Sequence, residues 1–327
     1  MRTVLYWEEV AEVIVTQLAK VRKGDPFLIV TNANSDLNLA QACLAAGIRA
    51  GADTQLVIKP RFVHGTVSKL GPILSSAIRA SKIILDLSDE LDFDPVTHEA
   101  RKKGTRVLAT NVSGIEEYVV RALLDVDVEA MIRNAQLVKK LWEQTRQFHI
   151  TSPQGTDLTF EMKAAKVTVG DGALSEDGEI DFFPGAQVNI DHHNTPSQET
   201  INGKIVVDAS DSIQGLVHNP YTLVIEKGVI TRIEGGREAD VVREYLEKLN
   251  EPKVYKLVHT SIGLNPQARF SGNLVQDERV LAALDFGFGR DCPYHEDFMV
   301  STPTIYLDGR EMSGGGKLNP EMGFEEM

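Results

Sequence analysis

The first 110 residues alternate between short apolar runs and amphipathic helical segments, and this alternation restricts the possible folds more than any other feature. Residues 7–22 place Val10, Val13, Ile14 and Leu18 on one side of a helix. The segments that follow alternate in type: apolar runs at 27–31, 54–58, 82–87 and 106–111, and helical segments at 37–52, 69–81 and 94–103. Such alternation is typical of a parallel sheet with helices on both faces. The sequence therefore predicts a Rossmann-like, doubly wound α/β domain.

The usual nucleotide-binding signals are missing from this half. The first apolar run is followed by TNANSD, residues 31–36, which contains neither G-x-G-x-x-G nor a P-loop. We therefore interpret the first half as a scaffold that binds no dinucleotide.

The second half has a different pattern of predicted secondary structure. A helical segment at 115–147 is predicted to bridge two domains. After it, strand-like segments alternate with Gly and Pro turns, a hairpin is predicted at Lys227–Gly228, and a helix at 238–249. The sequence thus predicts a domain at 1–147 and an α+β, sheet-rich, metal-binding domain at 148–327.

Charge and cysteine content restrict the partners and the compartment. The chain has 327 residues and a formal net charge of -13, which argues against a nucleic-acid partner because phosphate binding needs a basic surface. Cys43 and Cys292 lie far apart, as expected in a reducing cytoplasm. The N-terminal apolar run contains acidic residues, unlike a signal peptide, and no stretch is apolar enough for a membrane span. We expect a cytoplasmic protein without a membrane partner.

The last seventy residues contain the strongest chemical signal. His295 and Asp297 are separated by one residue, so on a strand both side chains would lie on the same face. With His259 as a third donor, they would form the two-histidine, one-carboxylate set that binds Fe(II) in non-haem oxygenases. The alternative is that these are ordinary surface or core residues, since a His-x-Asp pair is common.

Several motifs occur together in a familiar order. They are FPGAQV, INGKIVVD, IEKGVITRIEGG, IGLNPQAR, DER, and the His-x-Asp pair followed by PTIYLDG. This order resembles the aminopeptidase T-type metallopeptidase superfamily, and within it the sequence is similar to the 2,5-dihydroxypyridine 5,6-dioxygenases. The resemblance covers the second half and, more loosely, the alternating first half.

The peptidase branch of this superfamily implies a two-metal site made of two glutamates, two histidines and an aspartate. Here Gln187 and His259 stand where the resemblance implies the glutamates, and Asp285 stands where it implies a histidine. The carboxylate that would bridge two cations is therefore missing.

The dioxygenase branch implies one Fe(II) bound by His259, His295 and Asp297. It also implies two further histidines near the substrate, and here Phe182 and Phe93 occupy those positions. The resemblance thus favours an iron site and leaves the substrate open.

Other polar residues are candidates for acid–base catalysis. His192 or His193 would act as a general base, or both would belong to a solvated loop. Asp285 would be a fourth ligand or would orient a ligating imidazole, or it would simply pair with Arg290.

The leading hypothesis is a mononuclear non-haem Fe(II) dioxygenase that cleaves a hydroxylated aromatic or N-heteroaromatic ring, with a small-molecule substrate and O2 as partners. Zn(II), Mn(II) and Co(II) are alternative metals for the same ligands. The second hypothesis is a Zn- or Mn-dependent hydrolase of the aminopeptidase T type, and the third is a relative that only binds a small ligand. The resemblance also implies a homo-oligomer.

Overall fold

The structure is a computed structural model, and it describes residues 4–33, 35, 37–60, 70–88, 91, 94–110, 112 and 114–327. The chain divides into two compact units that exchange segments. The first unit comprises Met1–Val126 and Gly170–Gly185, and the second comprises Asp127–Val169 and Ala186–Met327. The domain boundaries 1–147 and 148–327 stay a prediction beside these units.

Eight α-helices and twenty strands are present in the described part of the chain, together with 3-10 helices at Gln198–Thr200, Pro252–Tyr255 and Pro320–Met322. The helices are α1 (Val4–Glu12, continued by a π-helical turn at Val13–Leu18), α2 (Leu37–Arg49), α3 (Pro72–Ala80), α4 (Pro95–Lys102), α5 (Glu116–Leu124), α6 (Val128–Gln144), α7 (Arg237–Leu249) and α8 (Leu274–Asp277). The first ten strands are β1 (Pro26–Asn32), β2 (Asp53–Lys59), β3 (Ile83–Asp86), β4 (Arg106–Ala109), β5 (Gln147–Thr151), β6 (Asp157–Glu161), β7 (Lys166–Gly170), β8 (Ile180–Phe182), β9 (Gln187–Asp191) and β10 (Asn202–Val207). The remaining ten are β11 (Ser210–Asp211), β12 (Gly215–Leu216), β13 (Tyr221–Glu226), β14 (Val229–Glu234), β15 (Leu257–Gly263), β16 (Leu284–Phe288), β17 (Glu296–Val300), β18 (Thr304–Leu307), β19 (Arg310–Gly314) and β20 (Lys317–Leu318).

The first unit is built on a five-stranded parallel sheet in the order β2-β1-β3-β4-β8. One face of this sheet packs against α3 and α4 through a cluster that includes Leu28, Ile84 and Val107 of the sheet and Leu74 and Ile78 of α3. On the other side α2 contacts β1 and β2, and α1 contacts α2 and α5. The predicted doubly wound α/β fold is confirmed.

Two features of this unit differ from the sequence prediction. The single helix predicted at 115–147 is wrong: α5 ends at Leu124, and α6 begins after Asp127, whose side chain accepts a hydrogen bond from the Ala130 N–H at 2.9 Å. The side chain of Asp127 therefore caps a new helix. The fifth strand, β8, was not assigned to this sheet, because it comes from the distant segment Gly170–Gly185.

The second unit contains two sheets. An eight-stranded antiparallel sheet has the order β14-β13-β10-β6-β5-β18-β19-β20, and a seven-stranded sheet has the order β12-β11-β17-β16-β15-β9-β7. The predicted hairpin joins β13 and β14 through Lys227 and Gly228, which both have positive φ (51° and 72°). Two such residues in succession are typical of a tight hairpin turn. The sheet-rich α+β class predicted for this half is confirmed.

The seven-stranded sheet has two chemically different faces. Phe286, Phe288 and Phe298 are fully buried on one face of β16 and β17. The Phe288 and Phe298 rings meet edge to face, with centroids 5.5 Å apart. The opposite face carries the ionisable residues described below. Across the described ranges, every helix is too short or too polar to span a bilayer.

Candidate metal centre

Three neighbouring strands of the seven-stranded sheet bring the predicted ligands together. His259 on β15 pairs with Gly287 on β16, and Gly287 pairs with Asp297 on β17. Residues paired across antiparallel strands share a face, so the side chains of His259 and Asp297 extend from the same face with only a glycine between them. His295 lies two residues before Asp297 and has the same parity, as the sequence predicted.

The three side chains converge on one carboxylate oxygen. Asp297 Oδ1 lies 3.0 Å from His259 Nε2 and 3.2 Å from His295 Nε2. One potential ligand atom from each of the three residues lies within 4.8 Å of the others. His259 and Asp297 are buried, whereas 43% of the His295 side chain is exposed. The site is therefore open on the side of His295.

Hydrogen bonds fix the direction in which each imidazole presents Nε2. His259 Nδ1 lies 3.1 Å from Ser261 Oγ, and the His295 Nδ1–H donates to the Gly289 carbonyl at 2.8 Å. Such contacts on the remote nitrogen orient metal-bound histidines. Both Nε2 atoms are thereby directed toward Asp297, where one cation would contact all three side chains.

The electrostatics of the cluster favour a negative Asp297 beside a positive His295. Burial alone would raise the pKa of Asp297, but the hydrogen bonds from His259 and His295 outweigh it and hold that pKa well below its ordinary value. Burial would lower the pKa of His295, but Asp297 and the Gly289 carbonyl raise it to about 9. A cation bound here would replace the proton that His295 shares with Asp297, because histidine ligates as the neutral imidazole.

Asp285 lies beside this cluster on the same face. Its Oδ2 is 3.7 Å from His259 Nε2, and its carboxyl group makes no hydrogen bond of ordinary geometry to a described residue although the side chain is 1% exposed. Burial and the charges of Asp297 and Glu278 raise its pKa well above the ordinary value. Arg290 pairs instead with Asp191 at 2.8 Å, so the alternative pairing of Asp285 with Arg290 is absent.

A salt bridge between two further residues interacts electrostatically with the predicted ligands. Glu278 and Arg279 form a salt bridge next to the short helix α8, and both side chains are largely buried. Burial raises the pKa of Glu278, and the positive charges of Arg279, His259 and His295 oppose that rise. Arg279 Nε makes no hydrogen bond to a described residue. The sequence indicated neither residue, except as part of the DER motif.

The structure places His192 on the opposite face of the sheet. The residue is fully buried, and its Nδ1 and Nε2 lie 3.0 Å from Ser197 Oγ and 3.2 Å from Thr260 Oγ1. Its ring also meets the Phe160 ring edge to face, with centroids 4.9 Å apart. Because Thr260 follows His259 on β15, its side chain extends from the face opposite the ligands. His192 is therefore a satisfied core histidine in this geometry.

His193 lies in a polar cluster at the end of β9. Its Nε2 is 2.9 Å from Asp291 Oδ2, and the Asn194 side-chain amide lies 2.9 Å from the same nitrogen. Asp291 and Arg290 belong to the loop between Gly289 and His295, and Arg290 pairs with Asp191 on β9. His193 thus helps hold the loop that ends at the predicted ligand His295.

Three positions carry a residue other than the one that the family resemblance implies, and they lie in different parts of the chain. Gln187 lies on β9, paired with Gly263, on the ligand-bearing face of the sheet. Phe182 is the last residue of β8 in the first unit. Phe93 lies outside the described residues.

Three residues behind the ligand strand were not predicted. The carboxylate of Glu296 accepts hydrogen bonds from Ser212 Oγ at 2.6 Å and from Tyr245 Oη at 2.8 Å. Ser212 Oγ in turn accepts the Asp297 N–H at 3.0 Å, and the Ser212 N–H donates to the Asp297 carbonyl at 3.0 Å. These contacts fix β17 from the back. Alternation along His295-Glu296-Asp297 was the one signal that could have assigned Glu296 to that face.

Comparison with known proteins identifies similar chains. The family model for 2,5-dihydroxypyridine 5,6-dioxygenase (NicX) matches residues 10–286. A 2,5-dihydroxypyridine 5,6-dioxygenase from Pseudomonas putida KT2440 is 25% identical over 331 residues, which cover 90% of this chain and 91% of the relative. The matched range of the model includes His259 and Asp285 and ends before His295 and Asp297.

Solved structures agree on the fold. The structure of 2,5-dihydroxypyridine dioxygenase from Pseudomonas putida KT2440 superposes with a TM-score of 0.82 at 23% identity, covering 98% of this chain and 99% of the other. AmpT from Thermus thermophilus superposes with a TM-score of 0.64 at 13% identity, with coverages of 96% and 99%. At these identities both structures establish a shared fold, in agreement with the aminopeptidase T-like resemblance.

Proposed function

The chain belongs to the 2,5-dihydroxypyridine 5,6-dioxygenase family, and from this premise we propose that it opens the ring of a hydroxylated N-heteroaromatic compound at a metal bound by His259, His295 and Asp297. The family is one of ring-cleaving dioxygenases, so the chain is an enzyme of that class. The observation that carries the site assignment is the convergence of three donor side chains within 4.8 Å. A small-molecule substrate and O2 are the partners, and the homo-oligomer stays a prediction.

The donor set suits Fe(II). Two imidazoles and one carboxylate occupy one side of an octahedral ion and leave the other positions open, which is the arrangement that non-haem Fe(II) oxygenases use. The 43% exposure of the His295 side chain supports access from that side. Bound Fe(II) would hold the substrate and O2 together and carry electrons between them. We therefore propose Fe(II), with Zn(II), Mn(II) and Co(II) as alternatives that the same ligands accept.

The residues around the ligands hold them in place for this chemistry. Ser261 and the Gly289 carbonyl orient the two rings, so Nε2 of each imidazole stays directed at Asp297. Asp297 is fixed through its backbone by Ser212. These contacts reduce the reorganisation that metal binding requires, because the rings are already oriented before the ion arrives.

Asp285 is the proposed acid–base group. Its buried carboxyl group has no hydrogen-bond partner of ordinary geometry and lies 3.7 Å from His259 Nε2. A buried carboxyl group without a well-formed hydrogen bond is costly, so a ligand that donates one would be favoured there. A hydroxyl or ring N–H of the substrate would supply that donor. Asp285 would then hold or return a proton at that atom.

The geometry supports a catalytic role less well for His192 than for His193. The burial of His192 and its two hydrogen bonds support a packing role. His193 stays a candidate through its contact with Asp291, since it acts on the loop that carries His295.

The hydrolase alternative has support only from the fold shared with AmpT. Gln187 offers a neutral amide in place of the carboxylate implied there, so a second ion would lack its bridging ligand. We therefore keep the hydrolase as an outcome of the test.

Metal content and oxygen uptake test the proposal. Protein purified without added metal would be loaded anaerobically with Fe(II), and O2 consumption followed with 2,5-dihydroxypyridine, with catechol and without substrate. We expect about one iron per chain and uptake that depends on the hydroxypyridine. His295→Ala and Asp297→Ala should each lower the metal affinity by more than the roughly 10–100-fold that loss of a residue supporting a ligand costs.

The matched control is His149→Ala, which removes an exposed histidine paired with Asp157 in the other sheet of the same unit. It should keep wild-type metal content. Normal iron content in Asp297→Ala would disprove the proposed site. Two zinc or manganese ions per chain, with amine release from peptides and no oxygen uptake, would favour the hydrolase.

A further inference from the structure

Gly287 occupies the space between two of the proposed ligands. It pairs with His259 on one side and with Asp297 on the other. A Cβ atom added at Gly287 would lie 1.5 Å from His259 Nε2 and 1.7 Å from His259 Cδ2. The imidazole therefore lies directly over the glycine as it reaches across β16 to Asp297.

The backbone itself does not require glycine at this position. Gly289, two residues later, has φ of +89° and would be strained as any other residue. Gly287 is outside that left-handed region, in regular strand pairing on both sides. The close approach of the imidazole is therefore the reason for glycine at 287.

A β-bulge brings His259 to this glycine. Leu257 pairs with Phe288, but the next pair is His259 with Gly287, so Val258 is the extra residue on β15. Without the bulge, His259 would pair with Phe286, whose side chain lies on the apolar face of the sheet. A shift of one residue moves a side chain to the other face of a sheet. The bulge thus places His259 on the face that carries Asp297.

We propose that Gly287 is a positioning residue of the metal centre: its missing side chain lets the His259 imidazole cross β16 and share the ion with Asp297 and His295. This inference rests on the proposed function in that it takes these three residues as the ligands. A methyl group at 287 would force His259 into another rotamer and remove one of the three ligands.

The test is a double-mutant cycle with Gly287→Ala and His259→Ala, which isolates the interaction between the two positions. Two quantities would be measured on each protein: the affinity for Co(II) alone, by competition with a chelator and by its visible absorption, and the melting temperature of the metal-free protein. Gly71→Ala is the matched control, because a Cβ there meets no atom within 4 Å and the backbone is extended (φ -63°, ψ 158°), as alanine readily adopts.

We expect Gly287→Ala to weaken Co(II) binding about as much as His259→Ala does, by roughly 100-fold or more, since either change removes one ligand. It should also lower the melting temperature when His259 is present. In the His259→Ala background the added methyl fills free space, so it should have little further effect on either quantity. Failure of Gly287→Ala to fold, with folding restored by the second substitution, would support the same conclusion.

Two results would overturn the inference while leaving the ligands intact. One is wild-type Co(II) affinity in Gly287→Ala when His259→Ala has lost it. The other is an equal fall in melting temperature, or equal misfolding, in both backgrounds. Wild-type Co(II) affinity in His259→Ala would instead reject the proposed metal site itself.

Discussion

Replacement of His192 by alanine separates a structural role from a catalytic one. The wild-type ring is fully buried, uses both nitrogens in hydrogen bonds to Ser197 and Thr260, and contacts Phe160 edge to face. The substitution removes two hydrogen bonds worth about 1 kcal/mol each and an aromatic contact worth about 1 kcal/mol. We expect the free energy of unfolding to fall by about 3 kcal/mol. For a unit of this size that corresponds to roughly 6–12 °C in melting temperature.

The pH dependence sharpens this prediction. Burial lowers the pKa of His192 from 6.5 to about 3, so between these values the unfolded chain binds a proton that the folded chain does not. His192 therefore costs the wild type about 1.4 kcal/mol of stability for each unit that the pH falls below 6.5. An advantage of about 3 kcal/mol is offset after about two units, so the wild type and His192→Ala should be equally stable between about pH 4 and 5.

Chemical denaturation at a series of pH values, with steady-state oxygen uptake at 25 °C, measures both roles. His149→Ala is the control, since it removes an exposed histidine whose contacts are a hydrogen bond to Asp157 and a stacked contact with the Tyr306 ring, and it should cost less than about 1 kcal/mol. We expect His192→Ala to keep its turnover within a few-fold when loaded with metal. Unchanged stability together with a loss of turnover of two orders of magnitude would refute the packing argument and restore the general base.

Two further predictions concern buried carboxyl groups. Glu296→Ala removes the acceptor for the Ser212 and Tyr245 hydroxyl groups behind β17, which carries the proposed ligand Asp297. It should therefore lower the free energy of unfolding by about 2 kcal/mol and weaken Co(II) binding. A chelator titration that shows wild-type affinity would contradict this. Burial raises the pKa of Asp181 from 3.8 to about 8, so its contribution to stability falls as the pH rises through that range. Asp181→Asn should therefore gain stability relative to the wild type between pH 5 and pH 8 in denaturant melts, and the opposite trend would count against a protonated Asp181.

The local patterns gave reliable predictions wherever one periodicity dominated. The apolar runs of the first half, which in β1, β3 and β4 are buried on both faces, gave β1 to β4 to within a few residues. Alternation in His295-Glu296-Asp297 predicted the shared face of His295 and Asp297. The glycine after Lys227 gave the hairpin. In each case the physical cause lies within a few residues of the feature, so the sequence alone carries it.

Long-range pairing could not be predicted in the same way. The addition of β8 to the parallel sheet depends on a segment far along the chain from β4. The helix break at residues 125–127 did have a local signal, because Asp127 is a residue type that favours the N-cap position. The continuous apolar periodicity on both sides of it obscured that signal. The bulge at Val258 had none, yet it decides which face His259 occupies. Side chains alternate along a strand, so His192 lies on the face opposite that of Asp191, which pairs with His259. The alternation that predicted a shared face for His295 and Asp297 therefore also separates His192 from them.

The return of residues 170–185 to the first unit has a consequence for synthesis. On the ribosome, β4 emerges early, but its outer partner β8 follows only after α5, α6 and the strands β5 to β7. Until then the nascent chain exposes a row of unpaired backbone groups along β4, which is a template for pairing with another chain. A fragment that stops at Val126 would retain that bare edge permanently, so we expect truncation there to yield aggregation-prone material.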